Sequence, residues 1–263
     1  MNFRTACLFV DGENLRHSIC DLFTPPDFHP SEYLPKQADW HGFFEYLVDE
    51  AKAELRLRTY WYTVAEIDFW PFGLHKLLKP QNYPTLETVM RKNTANNREL
   101  AGILDPNQRG VRAKQMAQDL FQHESEMRTR FDGWHTVQNG IASQVDSVEF
   151  RRAGSIRYDL FTRSLGSEKG VDVKLATDLI RLKDIYDVAI ILSGDGDYVP
   201  AVQAVKDSGK HVINVSFLRK SGGILPGGAR RLNQATDRTI EVEHSVSEKY
   251  LLQKTVSPTA TTP

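Results

Sequence analysis

At 263 residues, with 40% apolar and 25% charged side chains, the chain has an ordinary globular composition and room for one large α/β domain or two small ones. A formal net charge of −1 provides no global attraction for a polyanion, so nucleic-acid binding would have to rest on local patches. No run approaches the ~18 apolar residues of a membrane span, and the two cysteines, Cys7 and Cys20, form neither a disulfide framework nor a metal-ligand spacing and read as reduced thiols.

The opening MNFRTACLFVDGEN resembles a signal peptide only superficially, because its apolar part is short and runs into Asp11 and Glu13; cytoplasmic residence is the expectation. Thr5 to Val10 predicts a strand ending at Asp11, followed by Gly12-Glu13-Asn14 and a helix through Leu15, Ile19 and Leu22. Pro25, Pro26, Pro30 and Pro35 mark a loop. Phe43, Phe44, Leu47, Val48, Ala51 and Leu55 make a helical stripe over Trp40 to Leu55, and Arg56 to Val64 predicts a second strand.

From 66 to about 145 the pattern changes to an expected insertion or lid, with a polar helix from Gly110 to Phe131 and a strand at Trp134 to Val137 returning to the sheet. Val148 to Arg152 and Ser155 to Thr162, separated by Ala153-Gly154, predict a hairpin bearing arginines. Gly170 to Ile185 predicts an amphipathic helix that turns Val173, Ala176, Leu179, Ile180 and Leu182 to the core and carries Asp172 in its first turn. Asp178, six residues later, falls on a different face.

Val188-Ala189-Ile190-Ile191-Leu192 predicts a strand buried on both faces, followed by Ser193-Gly194-Asp195-Gly196-Asp197 and a helix from Tyr198 to Ser208. His211 to Phe217 is a further buried strand, with a short helix through Leu232 and a strand at Arg238 to Val242 after it. The expected organisation is one domain over 1–245 and a disordered tail over 246–263. Alternating strands and helices argue for a mostly parallel sheet covered on both faces. Asp11, Asp195 and Asp197 then leave strand ends on one edge, where Asp172 can join them.

Gathering such carboxylates is unfavourable, about 4 kcal/mol for two like charges ~4 Å apart at an effective dielectric near 20. A shared proton or a divalent cation offsets this, and hard oxygen donors favour Mg²⁺ or Mn²⁺. Phosphodiester hydrolysis is the natural chemistry for such a site. Basic residues flank it: Lys210, Arg219, Lys220, Arg230 and Arg231 lie in a stretch without Asp or Glu, and Arg151, Arg152 and Arg157 precede the Asp172 helix. With Tyr62, Trp70 and Tyr158, Arg151, Arg152, Arg157, Arg230 and Arg231 could hold a nucleic-acid strand through stacking and phosphate neutralisation.

In LFVDGENL, KGVDVKLATDLI and IILSGDGDYVPAVQAVKDSGKHVINVSF, and more weakly in GGILPGGARRLNQATDRTIEV, the chain resembles the NYN branch of PIN-like ribonucleases, which includes LabA-like proteins. Residues 66–145 have no counterpart in that resemblance. It implies a PIN-like three-layer α/β/α sandwich and a metal-dependent endoribonuclease whose acidic, metal-binding cluster is Asp11, Asp172, Asp195 and Asp197. It further implies that Asn14 orders the cluster, that Ser193 donates to a phosphate oxygen, and that Lys169 and Lys174 neutralise phosphate; Glu13 and Glu168 are spare candidates.

Plainer roles stand beside these: Asp172 as a charge at a helix N-terminus, and Asn14 or Asp197 as helix caps. Rival functions are a phosphatase of the haloacid dehalogenase type, whose DxD pair is broken here by Gly12-Glu13, and a catalytically silent RNA-binding or scaffolding module. A thiamine diphosphate site fails, because Lys220-Ser221-Gly222-Gly223 stands where asparagines are needed. RNA is the expected partner, a membrane is not, and the 66–145 segment could serve a homo-oligomer or protein partner.

Overall fold

Strand β1 (Phe3–Asp11) carries Ala6 to Val10 with no exposed surface, as a strand covered on both faces requires. A computed structural model describes residues 3–29, 32–35, 37–79, 82–227 and 229–252. After β1 come α1 (Gly12–Leu22), α2 (Trp40–Glu50), β2 (Ala53–Trp70), α3 (Leu74–Leu77), α4 (Tyr83–Met90), α5 (Thr94–Ala101) and α6 (Pro106–Gln144). The chain continues through β3 (Val148–Asp159), β4 (Ser164–Lys169), α7 (Val171–Arg181), β5 (Val188–Leu192), α8 (Val199–Asp207), β6 (His211–Leu218), β7 (Ile224–Leu225), α9 (Arg230–Ala235), β8 (Arg238–Val242) and α10 (His244–Leu251).

The sheet runs β4-β3-β2-β1-β5-β6-β7, with β8 beside β6. β1 is parallel to β2 and β5, and β6 is parallel to β5 and β8, whereas β3–β4 and β6–β7 are antiparallel. This is the mixed, mostly parallel α/β sheet flanked by helices that a PIN-like sandwich demands. The register Val10↔Leu192 brings the ends of β1 and β5 level, so Asp11 and Ser193 emerge together. Among the described residues no helix is long and apolar enough to cross a membrane.

The chain divides into two compact units. The first comprises residues 1–63, 136–153 and 170–263. Its core joins Leu8, Val10, Leu15, Phe43, Trp61, Ile190 and Phe217. The second comprises 64–135 and 154–169. There the Lys92 ammonium and the Arg157 guanidinium lie 4.7 and 4.9 Å from the centre of the Trp70 ring, while Tyr158 packs edge-on against Phe69.

Several expectations are corrected. Helix α2 stops at Glu50 and Leu55 lies in β2, 53% exposed. Trp134 to Val137 is not a strand: Met127, Phe131, Trp134, Gln138 and Ile141 are buried at helical spacing along α6. Ala153 and Gly154 do not form a turn but continue β3, and the hairpin closes over residues 160–163. There the Asp159 carboxylate accepts from the Phe161 and Thr162 amides at 2.9 and 3.1 Å. Residues 246–251, expected in a disordered tail, belong to α10, whose Leu251 is buried; residues 253–263 lie outside the described residues.

Helix α7 also buries a different face from the one predicted. Val171, Leu175, Asp178 and Leu179 face inward, whereas Val173 is 69% and Ile180 39% exposed. Asp178 is tolerated there because Arg151 pairs with it, Lys174 and Arg181 reach it at 3.2 and 3.1 Å, and the Tyr62 hydroxyl donates to it at 3.2 Å. Burial would raise this carboxyl, but the hydrogen bonds from Arg151 and Lys174 outweigh burial and hold it below the ordinary range.

A depressed folded-state pKa means that the stabilisation is present above the ordinary Asp value near ~4 and is lost as pH falls below it. Asp178→Ala is therefore expected to lower the unfolding free energy by about 3 kcal/mol at neutral pH. Urea titration should show a reduced midpoint with unchanged slope, and a deficit that narrows below about pH 4. An unchanged midpoint at pH 7 would reduce the cluster to a solvated surface network.

Candidate functional site

The polar edge is built on Asp11, which ends β1, caps α1 and has no exposed surface. One of its oxygens, Oδ1, accepts from the Asn14 amide at 3.1 Å, the bond that starts the helix. The other, Oδ2, accepts from Asn14 Nδ2 at 2.6 Å, from Ser193 Oγ at 2.9 Å and sits 3.2 Å from the Tyr198 hydroxyl. Burial pushes the Asp11 carboxyl up to about 6; the Asn14 and Ser193 bonds oppose this, and the Asp172 charge adds to it.

Asn14 is a clasp, not a cap. Its Nδ2 holds Asp11, and its Oδ1 accepts the Gly194 amide at 3.2 Å. Ser193 uses its hydroxyl proton on Asp11 while its oxygen accepts the Asp195 amide at 3.0 Å. The expected role of Ser193 as a donor to phosphate gives way to one of shaping the loop. Glycine is required at two close approaches. A Cβ on Gly194 would stand 2.1 Å from Pro226 Cγ, and one on Gly12 would stand 2.5 Å from the Tyr62 carbonyl oxygen.

Asp195 caps a single 3-10 turn over Gly196–Tyr198, its Oδ1 accepting the Asp197 amide at 2.9 Å. Asp197 caps nothing with its own side chain and is exposed. Asp172 lies in the first turn of α7 and faces the Tyr198 hydroxyl at 3.1 Å. Burial raises the Asp172 carboxyl; Tyr198 opposes this, and the charges of Asp195 and Asp197 raise it further.

Tyr198, buried between two aspartates, had no role in the sequence reading; the only signal was its place directly after the GDGD run. A phenol has one proton, so it can donate to Asp11 or to Asp172 but not to both. The remaining contact is satisfied when one carboxyl is itself protonated, and is repulsive when both are charged.

Among the described residues no three His, Cys, Asp or Glu side chains converge closely enough to hold a metal ion. The donor chemistry nevertheless suits a hard cation, because Asp172, Asp195 and Asp197 are oxygen donors with no ion pair among the described residues. Asp11 is less suited, its oxygens being taken by protein donors.

The predicted basic residues divide. Arg151 is bound to Asp178 and Glu149 and lies over the Tyr60 ring, and Lys174 is bound to Asp178. Tyr62 is core, with its hydroxyl on Asp178. Arg152 is exposed and held by Gln138 and Asn139. Arg230 and Arg231 are exposed without an ion pair among the described residues, and Arg231 Cδ would stand 3.1 Å from a Cβ on Gly196. Lys169 ends β4 in the second unit.

Tyr198→Phe removes one hydroxyl and leaves the ring. In the metal-free protein the Asp11 carboxyl should then titrate above its value of about 6, since a bond that lowers it is gone. Carbon-13 carboxyl shifts of parent and variant read this directly, and equal Asp11 titrations in the two would mean that the hydroxyl does not bond Asp11.

Residues 5–243 match the model of the NYN domain. The low amplitude and bright protein LabA of Synechococcus elongatus is 30% identical over 138 residues, which are 48% of this chain and 67% of LabA. A crystal structure of a protein of unknown function from Vibrio parahaemolyticus aligns over 92% of this chain and 94% of its own, at 16% identity and a TM-score of 0.44. With an acidic edge of this construction and a match that covers nearly its whole length, the chain belongs to the NYN domain family.

Proposed function

We propose that the protein is a metal-dependent endoribonuclease that hydrolyses RNA phosphodiester bonds at the edge formed by Asp172, Asp195 and Asp197. The observation that carries the reading is the imbalance there: mutually repelling carboxylates have no basic partner among the described residues, and the exposed Arg231 runs along Gly196, between Asp195 and Asp197. Such a site is stabilised by a divalent cation and by a substrate that brings phosphate to it.

Asp172, Asp195 and Asp197 would hold Mg²⁺ or Mn²⁺, which when bound supplies the charge stabilisation that phosphodiester cleavage needs. Tyr198 meets the Asp172 carboxylate, and Asp11, Asn14 and Ser193 shape the loop that carries Asp195 and Asp197, with few of their own polar atoms left for substrate. Arg230 and Arg231 neutralise phosphate along the strand. Residues 1–245 form the catalytic module in this reading. A cytoplasmic setting suits an RNA substrate. The phosphatase alternative is disfavoured, since its nucleophile would be Asp11, which is fully buried and surrounded by donors.

The test incubates the protein with labelled single-stranded RNA, single-stranded DNA and a generic phosphomonoester, in Mn²⁺, Mg²⁺ or EDTA, beside Asp195→Asn. RNA cleavage is expected with either metal, to vanish in EDTA and to fall by ~100-fold or more in the variant, while the variant's melting temperature stays near the parent's. Cleavage persisting in EDTA or surviving the substitution sinks the reading. Turnover of the phosphomonoester alone supports the phosphatase, and RNA binding without cleavage supports the silent module.

A further inference from the structure

Beside the Ser193–Asp197 loop lies a cavity of about 410 Å³ lined by Ile224, Pro226, Gly227, Arg230, Asn233 and Gln234. Its volume falls in the range of small-molecule sites, roughly 300–1,000 Å³. We propose that it receives one unpaired nucleobase of the RNA strand, an inference that rests on the ribonuclease reading and extends it to substrate recognition.

Three contacts tie the cavity wall to the acidic loop. Pro226 abuts Gly194, where even a methyl group would collide. The Arg231 stem lies along Gly196, next to the lining residue Arg230. Asn233 Oδ1 accepts from Asn214 Nδ2 at 2.6 Å, and the same Nδ2 donates to the Ser193 carbonyl at 3.0 Å. Asn233 Nδ2 in turn donates to Ser216 Oγ at 3.0 Å. Asn233 is thereby a fixed wall, tied through Asn214 to the Ser193 carbonyl at the start of the acidic loop.

The lining suits a base better than an anion. Ile224, 44% exposed, and the Pro226 ring present apolar surface to a flat ring. Gln234 is exposed and carries both an amide donor and an acceptor for a base edge. Arg230 has no ion pair among the described residues and can stack on the base or meet the adjoining phosphate. A free phosphate would want several converging donors, whereas Arg230 is the one charged residue among the described residues of this lining.

Two measurements on the full chain test this. In the first, amide shifts of the metal-free protein are followed while 5′-AMP, 5′-UMP or ribose 5-phosphate is added. A nucleotide should bind roughly tenfold tighter than ribose 5-phosphate, with shifts at Ile224 and Gln234. The Ile224→Ala/Gln234→Ala double variant should lose that preference. Equal binding of nucleotide and sugar phosphate, or shifts confined to other surfaces, overturns the proposal.

In the second, an RNA oligomer made abasic at one position at a time is cleaved in Mn²⁺. One position should lower kcat/KM by roughly tenfold in the parent and leave the double variant unaffected. Cleavage indifferent to every base removal overturns the cavity assignment and leaves the ribonuclease reading intact. Failure to cleave any RNA, with nucleotide still shifting Ile224 and Gln234, removes the ribonuclease reading and retains the base site.

Discussion

A carboxylate with no exposed surface must be met by hydrogen-bond donors, or its burial costs more than a domain can tolerate. Asp11 is met by Asn14 on α1, Ser193 after β5 and Tyr198 at the start of α8. Those segments converge because they satisfy one group. The strand register delivers Asp11 and Ser193 to the same level, and the hydrogen bonds turn that coincidence into a fixed edge. Tyr198 then extends the network to α7 through Asp172.

Burial and partners divide the aspartates into two kinds. Asp11 and Asp178 are inaccessible and bonded, and each joins elements distant in sequence. Asp172, Asp195 and Asp197 are less buried and lack basic partners among the described residues. Asp172 and Asp178 share α7, so the helix is anchored through one carboxylate while it presents the other. A helix position held by a buried ion pair is a stiff support for a group whose neighbours repel it.

The strands around the edge were legible because β1, β5 and β6 are apolar runs cut off by polar or glycine-containing turns. The acidic pattern was legible because aspartates directly after such runs must lie at strand ends. Other features depend on tertiary contacts that periodicity does not record. Val173 and Ile180 look like core residues, yet α7 rotates to bury Asp178, because Arg151 from β3 waits on that side. Ala153-Gly154 reads as a turn, yet β3 runs through it and the reversal forms where Asp159 can bond the next amides. Trp134 and Val137 favour strands, but the buried helical stripe from Met127 to Ile141 overrides that preference. Tyr198 marks only the start of a helix in the sequence, and its hydroxyl gains meaning from two acids brought in by separate elements.

Charge density in the sequence was the least reliable signal, for a reason the ion pairs make plain. The arginines and lysines around α7 suggested an RNA-binding face, but Arg151, Lys174 and Arg181 converge on Asp178, and their charge is largely compensated within the protein. Arg230 and Arg231 come from a stretch without nearby acids in sequence and end with none paired to them among the described residues. The absence of a side chain on Gly196 lets the Arg231 stem lie beside the acidic loop, and still no ion pair among the described residues joins it to Asp195 or Asp197. Both signs of charge therefore remain available next to one another. In the reading proposed above, the arginines would meet phosphate and the carboxylates a divalent cation, so neither charge needs to compensate the other.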